Sequence, residues 1–81
     1  MYVDVRELDE WNEGHLEGAI HCPLSELKKG KIPDLPKDTP LYLYCRSGQR
    51  SQIARDILLP HYLFAESLTK GYEELSQQKE G

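Results

Sequence analysis

Four short runs of strand-forming residues, each followed by a helix-forming stretch, set the limits on what this chain of 81 residues can become. The first, "YVDV" (Tyr2 to Val5), leads into "ELDEWNEG", which reads as a short helix with Leu8 and Trp11 at i, i+3 and Gly14 as its stop. "GAIHCP" contains a second short strand ended by Pro23, and Ser25 is expected to cap a brief helix running through Lys29 and stopped at Gly30. Lys31 to Pro40 carries Pro33, Pro36 and Pro40 and reads as a surface loop. "LYLYC" is apolar throughout, as expected of a strand covered on both faces. "SQIARDILL" places Ile53, Ala54, Ile57 and Leu58 on one helical stripe, limited by Pro60. "FAESL" supplies a fourth strand, and "GYEEL" begins a last helix.

Such alternation implies parallel pairing through crossover connections. The expected fold class is therefore α/β, a small, mostly parallel sheet of about four strands with short helices on both faces. At 9.4 kDa the chain permits one domain with a thin core. That domain is expected over residues 1–75, with 76–81 as a polar tail that frays. A net charge of -4 argues against nucleic acid as a partner, because phosphate binding needs a basic face. No apolar run approaches the ~20 residues that span a bilayer, and no signal segment is evident, so no membrane association is expected. Cys22 and Cys45 are too few for a disulfide framework, which makes a reducing, cytoplasmic compartment the default. A periplasmic home is the alternative if a leader has been removed.

In parallel sheets chemistry collects where strand C-termini meet helix N-termini, and Cys45 stands there. A helix N-terminus favours a thiolate over a thiol, and nearby arginines push the same way. Arg46 and Arg50 flank the loop. Gly48 sits where the backbone must curl tightly, and its missing Cβ lets an amide approach an anion. Successive amides turned inward form a nest for a negative sulfur or an oxyanion. Ser51 is suited to cap the helix or to donate to the sulfur.

The chain resembles the rhodanese-like family over nearly its whole length. "DVRELDEW" looks like the family's opening strand and turn, with Asp4 and Arg6 in the usual positions. "GHLEGAIHCP" resembles its second signature, "YCRSGQRS" is similar to its active-site loop, and "LTKGYEEL" is a degraded copy of its C-terminal motif. By this resemblance Cys45 falls on the catalytic cysteine, and Arg46, Ser47, Gly48, Gln49, Arg50 and Ser51 form the substrate-binding loop. Asp4, Arg6 and His15 are supporting residues: a scaffold ion pair for the first two, a structural hydrogen bond for His15. Cys45 and Arg50 enclose four residues, as in the sulfurtransferase members, whereas related phosphatases enclose five.

The resemblance implies a thiosulfate sulfurtransferase that carries sulfur as a Cys45 persulfide to cyanide or a thiol, with no metal and no organic cofactor. Its partners would be a small anionic donor, a thiophilic acceptor and a possible sulfur-accepting protein, with the chain itself a monomer. The alternative is a persulfide carrier or interaction module that relays sulfur to a partner. Trp11 is expected to anchor the core. Cys22 is expected to pack as a small hydrophobe; a resolving thiol is the other reading, and a zinc site with His15, His21 and Cys45 lacks paired ligand spacing. Only three residues precede Asp4, so a four-stranded sheet with an edge open to a partner is expected. Lys70, Leu75 and His61 depart from the family pattern, which places the change at the pocket rim rather than in the cysteine loop.

Overall fold

The computed structural model describes residues 1–78. Strand and helix alternate from end to end: β1 (Tyr2–Asp4), α1 (Leu8–Glu13), β2 (Ile20–His21), α2 (Leu24–Lys28), β3 (Leu41–Tyr44), α3 (Gln49–Leu58), β4 (Ala65–Ser67) and α4 (Tyr72–Gln78). The strands form one parallel sheet in the order β2-β1-β3-β4, which leaves β2 and β4 as edges. The α4 helix continues through Ser76 to Gln78, beyond the point where a polar tail was expected. The remainder of that tail, 79–81, lies outside the described residues.

Period-two alternation divides the sheet into two unlike faces. Val3 is level with Ile20 on one side and Leu43 on the other, and Leu41 with Ala65. These side chains meet Leu24 and Leu27 of α2 and Ala54 and Leu58 of α3, with Tyr62 closing the end, and that cluster is the hydrophobic core. Asp4 pairs with His21 and Tyr44 and points the other way. There, Tyr72 of α4 stacks on Tyr44 at 6.3 Å, and Trp11 of α1 stacks on His21 at 4.7 Å. Helices thus lie on both faces, but only one face is apolar.

Three local expectations are corrected. Trp11 is not a core anchor: it is half-buried on the polar face, stacked between His15 at 3.4 Å and His21. Ser25 is not the N-cap of α2, because extended Pro23 takes that position; the Ser25 hydroxyl instead donates to Glu7 Oε1 at 2.8 Å. Ile53 leaves the α3 stripe and is exposed, so Ala54, Leu58 and partly Ile57 carry the packing.

The connections direct attention to one place. From β1 the chain moves outward to β2, then returns across β1 to β3 and continues to β4. Chain directions diverge between β1 and β3, and open parallel sheets bind ligands in the crevice at such a point. Cys45 is the first residue past β3.

Candidate active site around Cys45

The loop after β3 is built so that backbone amides converge on one sulfur. Gly48 adopts φ 91°, ψ -7°, a left-handed conformation that reverses the chain just before α3. The turn carries the Gly48 N–H to 2.9 Å from Cys45 Sγ. Ser51, one turn into α3, stands with its Oγ 3.7 Å from the same sulfur and donates to the Gly48 carbonyl at 3.1 Å. Cys45 has no exposed surface. Burial alone raises the thiol's pKa. Hydrogen bonds from the Ser51 amide and hydroxyl and from the Gly48 and Ser47 amides oppose it and win, leaving the pKa below the ordinary thiol value.

Arg50 does not aim at the sulfur. Its guanidinium grips Glu10 of α1 with two hydrogen bonds, 2.7 Å and 3.0 Å, and so ties the start of α3 to the opposite face of the sheet. The Arg50 hydrogen bond holds the Glu10 carboxyl down at about 2. Arg46 is exposed and lines a cavity of about 200 Å³ with Arg6, Glu10, Glu13, Tyr72 and Glu73. Ser47 and Gln49 are exposed on the loop.

Asp4, Arg6 and His15 make their contacts with neighbours in sequence and space rather than with the sulfur. Asp4 accepts from Arg6 Nε at 3.0 Å and from the second guanidinium nitrogen at 2.8 Å, a buried pair that also reaches the Gly14 carbonyl. The Arg6 guanidinium lies over the Tyr72 ring at 4.3 Å. His15 pairs its Nδ1 with the Trp11 carbonyl at 3.0 Å, a structural bond. Cys22 is half-buried against the core, and burial pushes its thiol up to about 11, which favours packing over a resolving thiolate. Among the described residues no group of three or more His, Cys, Asp or Glu side chains is assembled to hold a metal ion.

Three residues join the site that the sequence did not single out. Glu10 holds Arg50. Gly71 packs against the loop so closely that a Cβ there would stand 1.9 Å from the Arg46 carbonyl oxygen, and beside it the Tyr72 amide donates to the Cys45 carbonyl at 2.9 Å. Ser67, in β4, places its hydroxyl 2.7 Å from that of Ser51. Gly71 had a visible signal as the glycine retained in "LTKGYEEL". Ser67 had none, since only strand register brings it to the loop.

A family model, the rhodanese-like domain, matches residues 1–78. The chain belongs to the rhodanese-like domain family. The chain is 34% identical over 58 residues to the thiosulfate sulfurtransferase PspE of Escherichia coli K12, covering 70% of this chain and 56% of that protein. With the putative sulfur carrier protein YrkF of Bacillus subtilis it shares 38% identity over 52 residues, 64% of this chain and 28% of that one. Its fold superimposes on the human single-domain sulfurtransferase TSTD1 with a TM-score of 0.81 at 22% identity, covering 95% of this chain and 80% of the other. The chain thus spans about a quarter to a half of the length of these two curated relatives.

Proposed function

We propose that this protein transfers a sulfane sulfur through a persulfide on Cys45. The observation that carries the reading is the cradle itself: an amide at 2.9 Å and a hydroxyl at 3.7 Å turned on a buried sulfur whose pKa is lowered. In the first step the Cys45 thiolate attacks the outer sulfur of thiosulfate. A new S–S bond forms, the old one breaks, and its electron pair leaves on sulfite. The product is a Cys45 persulfide anion, stabilised where charge develops by the same amides. In the second step cyanide or a thiolate attacks the terminal sulfur, and the Cys45 thiolate is regenerated. A covalent intermediate divides one difficult transfer into two.

The four-residue span between Cys45 and Arg50 supports sulfur over phosphate, because a fifth residue, as in the related phosphatases, would widen the ring of amides beyond a fit to a single persulfide sulfur. A second reading, a carrier that relays the persulfide to a partner protein, is favoured by the complete burial of Cys45. Steady-state transfer from thiosulfate to cyanide separates the two. Free turnover, abolished by Cys45→Ser, supports the enzyme; little thiocyanate from a chain that thiosulfate nonetheless loads with one sulfur supports the carrier, which needs its partner to discharge. Full activity in the serine variant excludes both.

A further inference from the structure

We propose that Ser67 is a positioning residue for the Cys45 sulfur, its hydroxyl orienting that of Ser51 as a donor to the thiolate. The inference rests on the reading of Cys45 as a nucleophile and adds a residue that touches neither sulfur nor substrate. Ser51 has one hydroxyl proton and three neighbours: the Gly48 carbonyl at 3.1 Å, the Ser67 hydroxyl at 2.7 Å and Cys45 Sγ at 3.7 Å. With Cys45 protonated, the thiol donates to Ser51 Oγ and the Ser51 proton goes to the Gly48 carbonyl. Ser67 is then the donor in the short bond between the two serines. When Cys45 ionises, the Ser51 proton must turn from the carbonyl to the sulfur, while the Ser67 proton stays on Ser51 Oγ. A hydroxyl that accepts one hydrogen bond donates a stronger one, so Ser67 strengthens the contact that the thiolate needs. Sheet register fixes the arrangement, because Ser67 is level with Leu43 in β3, two residues before the cysteine.

The charged groups around the thiol come from several elements. Arg50 on α3 interacts with the Cys45 charge and is held by Glu10 of α1. Arg46 belongs to the loop, and Lys70 follows β4; both are exposed. Glu66 pairs with Tyr42 and lies on the opposite face of the sheet from Ser67. None of these is altered in the test.

The test compares Ser67→Thr with Ser67→Val, two side chains of one shape that differ by the hydroxyl. The reading is the rate of Cys45 alkylation by iodoacetamide across pH, with Cys22 replaced by alanine throughout. We expect the threonine variant to follow the parent profile. The valine variant should be displaced upward by about half a pH unit, slowing alkylation roughly threefold on the acid limb. In a Ser51→Ala background the two should coincide, since Ser67 acts only through Ser51. Threonine and valine profiles that coincide with Ser51 present, or a valine effect that persists without Ser51, overturn the assignment. Alkylation needs no sulfur donor, so this outcome is independent of whether the protein transfers sulfur.

Discussion

Replacing Gly71 with alanine tests how tightly the cysteine loop is held by the segment before α4. The new Cβ would stand 1.9 Å from the Arg46 carbonyl oxygen, 2.7 Å from its carbon and 3.1 Å from the Cys45 carbonyl oxygen. All three are backbone atoms, so no side-chain rotation relieves the overlap. Ordinary contact begins near 3.4 Å, and the two segments must therefore part by roughly 1.5 Å. The Tyr72 amide bond to the Cys45 carbonyl, 2.9 Å long, joins the same segments and would be stretched out of hydrogen-bonding range. Overpacking costs about 1–3 kcal/mol and the lost bond about 1 kcal/mol more. A domain of this length is expected to hold about 4–12 kcal/mol, so the variant stays folded with a lower urea midpoint. Activity should suffer more, because a displacement of this size at the nucleophile costs about a hundredfold. Urea unfolding and thiosulfate-to-cyanide transfer, measured on the same preparation, give both numbers. Parent turnover together with an unchanged midpoint would refute the close approach.

Three further outcomes follow from the same geometry. Gly48→Ala forces a side chain into the left-handed region, at a stability cost of about 1–2 kcal/mol by denaturant titration. Turning its amide away from the sulfur should reduce sulfur transfer by a larger factor, about tenfold to a hundredfold; equal losses of the two kinds would contradict the cradle. Glu10→Gln keeps the shape of the Arg50 brace without its charge. Because the folded carboxyl ionises at about 2 against an ordinary 4.5, its contribution is complete above about pH 4.5 and is lost as pH falls through about 2. Parent and variant should then differ by about 1–2 kcal/mol near pH 6, after solvent screening of a partly exposed pair, and converge at the acid end; a constant difference would show that charge is not responsible. Inserting one residue between Cys45 and Arg50 should widen the nest and depress sulfur transfer, and aryl phosphate should remain a poor substrate of the native loop. Unchanged transfer by the insertion variant would remove the argument from loop length.

What could be read from the sequence was what neighbouring residues decide. The strands and helices carry their own periodicities, and "CRSGQRS" announces a turn, a glycine and a helix start within seven residues. The Asp4–Arg6 pair spans two positions and was equally visible. Trp11 misled because a large apolar residue ordinarily marks a core, whereas α1 packs on the face where Asp4, His21 and Tyr44 point. Imidazoles rather than aliphatic chains are the partners available there. Ser25 misled for a similar reason: its hydroxyl has a carboxylate 18 positions away that competes with the cap. The partners that complete the site are also remote, 40 positions from Glu10 to Arg50 and 16 from Ser51 to Ser67. Strand order and register create those contacts, and no local pattern encodes them. Gly71 lies between the two cases, a glycine whose presence was visible and whose reason, a carbonyl oxygen 1.9 Å from where a Cβ would stand, was not.

The most direct test of sulfur transfer is the chemical form that Cys45 takes after it meets a sulfur donor. Intact mass of the protein, recorded after incubation with thiosulfate and again after a reductant, reads that form without any assumption about the acceptor. The expected result is a gain of one sulfur atom per chain that reductant removes, that maps to the peptide containing Cys45, and that Cys45→Ser abolishes while the fold persists. An adduct on Cys22, or a serine variant that still gains sulfur, would contradict it.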